Sequence, residues 1–428
     1  MQVSASQEAY DGSETRSHPA LIVLCMVITV IEGYNLIVYG NVVPLLLDDH
    51  SLGITDKQTG AIGGMAYLGA IVGAALAPVL AERLGRKRVL VTTITVFAAG
   101  ALASGLAQDG QMLGGARLLV GLGMGGALTT AMTVARNSAA SRSASLVVTI
   151  TMAGIPLGGV IAALVSLVVL PHFGWRPMFF IGSAVALLIT LAVARTQFPA
   201  TIPQEVAGRS WTGRQKLRAV FTGRGAALAA VIALCAIANM VAWQGLNVWV
   251  TESSINLGFT LRTATLFAFT LTGAAVVASF ASAWMADRRG SAVTAILTGS
   301  CTVLGMVLML VLPTSTVSVL FCIALMGIGG HSTMNLIHTT TADAFPLPAR
   351  AAALGWSNST SFIGAFLGPT LGGIAIHVDG AYGVFRTFAI AATVCLVAVT
   401  ALYALGRGVR RGGASTLRAD ASVEPVSA

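Results

Sequence analysis

One carboxyl group stands where hydrocarbon is expected. Glu32 lies near the middle of an apolar run from about residue 20 to 47, and no other long apolar run carries an acid at its centre. A charge at bilayer depth costs about 2.5–3.5 kcal/mol on insertion scales, so an acid kept there faces protein or water and can bind and release a proton. Arg117 interrupts a second apolar run, from about 111 to 135. A guanidinium does not give up its proton, so it can attract a ligand carboxylate or hold a neighbouring carboxylate ionised. If the two runs are helices crossing roughly 30 Å of hydrocarbon, Glu32 lies roughly 18 Å from the face nearest Ala20 and Arg117 about 9 Å from the opposite face. The two side chains are then able to meet, either as a proton-handling couple, which is the expected reading, or as a structural ion pair locking one helix to another.

Other polar and aromatic groups sit in apolar runs at helical spacing. Asn35 is one turn from Glu32, with Tyr34 and Tyr39 beside it, which offers hydrogen bonds and ring surfaces on one helix. Trp243, Gln244, Asn247 and Trp249 share a later run, and Gln244 and Asn247 are i,i+3 neighbours. Rings and amides together suit a flat ligand with polar substituents, although Trp249 also fits an interfacial aromatic belt. His331, Asn335 and His338 recur at spacings of four and three, so they form one polar stripe that should face an aqueous path. Histidines bonded to a neighbouring helix are the plain alternative. Trp356 and Asn358 are weaker ligand candidates.

The elements that must position these groups follow from composition. Of 428 residues, 55% are hydrophobic and 10% charged, against roughly 25% charged in soluble globular domains. Twelve apolar stretches are legible, at about 20–47, 59–81, 89–107, 111–135, 146–170, 175–195, 225–250, 263–286, 292–312, 316–342, 351–376 and 382–406. They are long and nearly continuous rather than alternating, so each reads as a membrane helix and a β-barrel is excluded. The first run is too long for a signal-peptide core and is expected to remain as a helix. The 48 glycines then signal close helix packing.

The net charge of +9 would suit nucleic acid in a polar chain, but its distribution assigns it to topology. With both termini in the cytoplasm, twenty of the 25 basic residues fall in inside segments, and only Lys57, Arg176, Arg262 and Arg386 fall outside. No nucleic-acid partner is expected. All five cysteines lie in apolar runs without metal-ligand spacing, and no phosphate-binding Gly-Lys-Ser/Thr, G-x-S-x-G or H-E-x-x-H occurs. These absences point away from an enzyme and from any cofactor or metal.

The stretch 197–224 is the one long polar connection. It divides a bundle of six helices at 20–196 from a second at 225–407, with cytoplasmic tails at 1–19 and 408–428, both polar and expected to be disordered. A repeat supports the division: Glu82-Arg83-Leu84-Gly85-Arg86-Lys87 follows the second helix and Asp287-Arg288-Arg289-Gly290 follows the eighth. Glu82, Arg83 and Arg86, with Asp287 and Arg288 in the other half, are expected to latch helix ends as a gate, beyond setting topology.

On these residues the chain resembles the major facilitator superfamily over nearly its whole length, and more narrowly the aromatic acid:proton symporters. Glu32-Gly33-Tyr34-Asn35 is similar to that family's Asp-Gly-aromatic-Asp signature. The run Arg117 to Gly126 matches its arginine and glycine ladder, and Arg350, Gly355-Trp356 and Gly364 to Pro369 follow its pattern. Departures are Asn35 for a second aspartate, Pro78 for glycine, Glu82 for aspartate, Arg136 for an acid and Phe362 for arginine.

The resemblance implies an all-α bundle of twelve transmembrane helices in two pseudo-symmetric halves. It also implies a central cavity lined by the first, fourth, seventh and tenth helices. It implies proton-coupled import of a small aromatic carboxylate, benzoate or hydroxybenzoate, by a monomer among the lipids of a bacterial inner membrane. Glu32 and Arg117 are then the coupling groups, and Tyr34, Asn35, Arg117, Trp243, Gln244, Asn247, His331, Asn335 and Trp356 the substrate contacts. A proton-driven exporter, and a non-transporting sensor on the same scaffold, are the alternatives.

Overall fold

The computed structural model describes residues 19–138, 147, 150–198 and 212–420, with side chains to 405. Because lipid offers the backbone no hydrogen bonds, apolar runs close their own as helices. Six precede the central connection: α1 (Pro19–Asp48), α2 (Asp56–Leu84), α3 (Arg86–Gly105), α4 (Gly110–Asn137), α5 (Gly154–Phe173) and α6 (Arg176–Arg195). A short α7 (Gly213–Phe221) is followed by α8 (Arg224–Asn256), α9 (Leu261–Arg289), α10 (Ser291–Val311), α11 (Thr316–Ala344) and α12 (Arg350–Asp420). Among the described residues eleven helices are long and apolar enough to cross a membrane. α12 holds two crossings, because Asp379 and Gly380 (φ 59°, ψ −152°) break its helical geometry.

Helix ends lie where capping chemistry allows. Thr55 and Gln58 form a reciprocal capping box before α2, Asp109 accepts the Met112 amide before α4, and Thr260 and Ser315 cap α9 and α11. The repeated turns after α2 and α9 share one backbone. Gly85 (φ 83°, ψ 147°) and Gly290 (φ 88°, ψ 148°) each donate to the carbonyl four residues back, Ala81 and Ala286. That conformation favours glycine, so it explains the glycine common to both repeats.

Two features differ from the sequence expectation. The polar connection contains α7, with its own Thr212–Gln215 capping box. The last helix continues to Asp420, past the residue 407 where a disordered tail was expected, because the backbone keeps bonding to itself beyond the apolar run. The tail 1–18 lies outside the described residues.

Helices α1 to α6 pack on one another chiefly through α2–α4, α3–α4, α1–α5 and α3–α6, and α8 to α12 through α8–α12, α10–α11 and α9–α11. The two sets meet along α2–α12, α5–α9 and α1–α8. At the end bearing the α1–α2 turn this contact is backbone-close. A Cβ on Gly60 would run into Pro369, one on Gly373 would meet the Asp56 carbonyl at 2.5 Å, and one on Gly40 would run into Asn247. Trp249 Nε1 donates to the Pro369 carbonyl at 2.8 Å, and His377 Nδ1 lies 3.4 Å from Asp56 Oδ2. His377 and Asp56 thus make a polar side-chain contact between the two sets. Among the described residues, no glycine at the end carrying both termini makes such an approach between the sets.

Candidate functional site

The α1–α8 crossing at Gly40 and Asn247 sets the frame for the polar groups. On the α1 side, Arg117 reaches across from α4, fully buried, and its Nη1 donates to the Asn35 carbonyl at 3.2 Å. Its Cζ lies 4.8 Å from the centre of the Tyr39 ring, and Tyr67 of α2 is within its electrostatic reach. Nε has no partner, and no carboxylate comes within ion-pair distance. The Tyr39 hydroxyl donates to the Thr59 carbonyl at 2.7 Å, which fixes the ring beneath the guanidinium.

Glu32 is buried one turn before Asn35 on α1, and neither carboxylate oxygen has a hydrogen-bond partner. The expected meeting of Glu32 and Arg117 does not occur. Arg117 engages α1 at Asn35 and Tyr39, on the sealed side of Glu32, and the acid is left alone. A partnerless buried carboxylate is costly, whereas a neutral carboxylic acid is much less so.

On the α8 side, Trp243 lies across Gly330 of α11, and its ring centre is 6.1 Å from that of His331. His331 is 7% exposed and its Nε2 is unpartnered. Asn247 donates to the Trp243 carbonyl at 2.8 Å and leaves its Oδ1 unpaired, while Gln244 is buried beside it with no protein hydrogen bond. Asn335 is half-buried a turn beyond His331, and His338 is paired instead with Ser357 of α12 at 3.1 Å. A small cleft behind Trp243 is lined by Asn239, Leu246, Thr302, Gly330 and Cys395. Tyr39, Asn35 and Arg117 thus form one polar group inside the first set, and Trp243, Asn247 and His331 another inside the second, with the α1–α8 approach of Gly40 to Asn247 between them.

Three expected assignments change. The Tyr34 hydroxyl donates to the Met178 carbonyl of α6 at 3.0 Å, so its ring is packed inside the first set. Asn35 lies against Gly182 of α6 and donates to the Ile31 carbonyl at 3.1 Å, so only its Oδ1 is unspent. Trp356 Nε1 donates to the Ala229 carbonyl at 2.8 Å, and its ring is edge-on to Phe221. Ala229 precedes Trp243 by 14 residues on α8, about 21 Å of helix, so Trp356 braces the terminal end and does not join the cluster.

The expected gate residues are also apart. Glu82, Arg83, Asp287 and Arg288 are exposed without ion-pair partners, Arg86 Nη1 is unpartnered, and Arg288 lies over the Trp284 ring at 4.0 Å. Among the described residues these side chains form no ion pair with one another, and the close backbone approaches between the sets lie at Gly40, Gly60 and Gly373 instead. Sequence reasoning missed Tyr67, whose mid-run position was a signal. It also missed Asn239, which donates to Gly330 at 3.0 Å, and Thr29, which donates to the Thr151 carbonyl at 2.7 Å. Among the described residues no cluster of three or more His, Cys, Asp or Glu side chains is placed to hold a metal.

Among the described residues, eleven long apolar helices in two packed sets, with a buried guanidinium and buried polar groups inside them, have the make-up of a polytopic membrane protein. The family model of the Major Facilitator Superfamily matches residues 25–318 and 232–425, and the chain belongs to that superfamily. It is a secondary transporter and not an enzyme. It is 28% identical to a gentisate transporter of Corynebacterium glutamicum over 91% of this chain and 87% of that one. It is 24% identical to a benzoate transport protein of Acinetobacter baylyi over 87% and 86%. The fold is also that of a bacterial homologue of the lysosomal transporter Spinster solved in an inward-facing conformation. That likeness has a TM-score of 0.71 at 16% identity and covers 91% of this chain and 98% of the other. The narrower resemblance to aromatic acid symporters accords with these relatives.

Proposed function

We propose that the protein imports a small aromatic carboxylate of the benzoate or hydroxybenzoate class together with protons, as a monomer in a bacterial inner membrane. One observation carries this reading: a buried guanidinium and a buried carboxyl share one helix neighbourhood, yet neither neutralises the other. A guanidinium without a counter-anion is completed by a ligand carboxylate. This reading assigns the ligand carboxylate to Arg117 and the ring hydroxyls to the unpaired His331 Nε2, the Gln244 amide and Asn247 Oδ1. Asn335 extends that polar stripe toward the terminal end.

Glu32 is the proton carrier. It is tolerated without partners when neutral, and it releases its proton in the conformer that admits water. In this reading both termini are cytoplasmic, as the distribution of basic residues favours, so the end closed by the α2–α12 contact faces outward and the conformer is an inward-facing one. The turns at Glu82, Arg83 and Arg86, and at Asp287 and Arg288, then close only in the opposite state. The relatives named as gentisate and benzoate carriers support the substrate class.

The direct test is uptake of labelled benzoate, 4-hydroxybenzoate and gentisate into right-side-out proteoliposomes under an inward proton gradient. Accumulation that collapses with a protonophore is expected. Accumulation only in inverted vesicles would assign an exporter, and binding without any flux would assign a sensor.

A further inference from the structure

The element that sequence reasoning missed carries a surface that transport does not use. α7 is a nine-residue helix, and residues 212–224 contain Arg214, Lys216, Arg218 and Arg224 with no acid. One face is docked: Val220 is fully buried in a cluster with Leu228, Ile232, Phe345, Ala349 and Ala353, which ties α7 to the starts of α8 and α12 and to the turn before α12. The face next to it is largely exposed among the described residues. Leu217 is 54% exposed and Phe221 43% exposed, and Arg214 and Arg218 are exposed beside them. No acidic side chain among the described residues pairs with Arg214, Lys216 or Arg218. Only Thr222 and Gly223 separate α7 from the membrane helix α8, so this face lies at the bilayer boundary.

We infer that α7 is a contact for anionic lipid headgroups of the cytoplasmic leaflet, with Leu217 and Phe221 entering the acyl boundary and Arg214, Lys216 and Arg218 meeting the headgroup phosphates. Exposed apolar side chains flanked by basic ones suit an anionic bilayer surface, and a soluble acidic protein would leave the apolar pair without a hydrocarbon partner. The contact has a mechanical consequence. The Phe221 ring meets the Trp356 ring edge-on at 5.0 Å, and Trp356 is bonded to α8. A seated α7 therefore braces the starts of α8 and α12.

The test uses the full-length protein in micelles titrated with phosphatidylglycerol, phosphatidylcholine or inorganic phosphate, and follows hydrogen exchange at the amides of residues 213–221. Protection by phosphatidylglycerol alone is expected. In the variant Arg214→Gln with Lys216→Gln and Arg218→Gln, the half-protecting lipid fraction should rise by roughly fivefold per lost charge. The charge-keeping variant Arg214→Lys with Arg218→Lys should titrate like the native protein, which separates lost charge from lost folding. Equal protection by phosphatidylcholine or inorganic phosphate, or an unchanged titration in the neutralised variant, would overturn the assignment. None of these readings depends on the identity of the transported acid.

Discussion

Arg117 donates to the backbone carbonyl of Asn35 at 3.2 Å, whereas Glu32, three residues earlier on the same helix, touches no base at all. A cation satisfied only by a carbonyl and a tyrosine face keeps most of its charge for a ligand. An acid without partners keeps its proton affinity free to respond to water. The predictions follow from this separation of roles.

Substituting Arg117→Gln removes the one buried cation at the crossing. Charge-assisted hydrogen bonds contribute about 1.5–3 kcal/mol, so aromatic carboxylate binding measured by calorimetry should weaken roughly tenfold to a hundredfold. Binding of the corresponding uncharged amide should change little. Equal loss for acid and amide would assign Arg117 to scaffolding.

Trp356→Phe should leave ligand affinity unchanged, because the indole serves the Ala229 carbonyl and the α7 contact. Loss of that hydrogen bond should lower unfolding stability by about 1 kcal/mol. A fall in affinity without a fall in thermal midpoint would return Trp356 to the ligand site.

The His377–Asp56 side-chain contact ties the sets at the sealed end, with side chains 50% and 33% exposed. Exposed pairs contribute about 0.2–1 kcal/mol, so His377→Ala should raise the population open at that end by no more than about fivefold. Spin-label distances between the α1–α2 turn and the bend of α12 read this population directly. No change would mean that the close glycine contacts hold that end alone.

Asp49, in the turn after α1, is held below the usual carboxylate range, first by the Ser51 hydroxyl at 2.5 Å and then by the Trp175 indole and Arg176. A depressed folded pKa contributes stability above the unfolded value, near 3.9, and loses it as pH falls through the lower folded value. Asp49→Asn should therefore lower the thermal midpoint at neutral pH. The two proteins should converge in strong acid, and a gap that persists there would contradict this account.

The spans were legible because apolar length and the cost of unpaired backbone act locally, and the glycine turns at Gly85 and Gly290 were legible as a repeat. The helix α7 was hidden by its polar composition, although Thr212 and Gln215 already spelled a capping box. At the site, residue type announced Glu32 and Arg117, but their relative reach depended on which turn of α1 faces α4. Trp356 and Tyr34 were misread because ring and hydroxyl chemistry suits a ligand and a neighbouring carbonyl equally. The pairing of Asp56 with His377 spans 321 residues, so only the packed fold could bring it about.

Proton flux during substrate entry tests the role of Glu32 most directly. With a pH dye inside proteoliposomes, addition of 4-hydroxybenzoate should acidify the lumen for the native protein. It should give no acidification for Glu32→Gln, while exchange of labelled for unlabelled substrate continues and folded stability is kept. Undiminished acidification in Glu32→Gln would contradict the assignment of the coupling proton to this carboxyl. Loss of exchange together with a fall in folded stability would show a structural role instead.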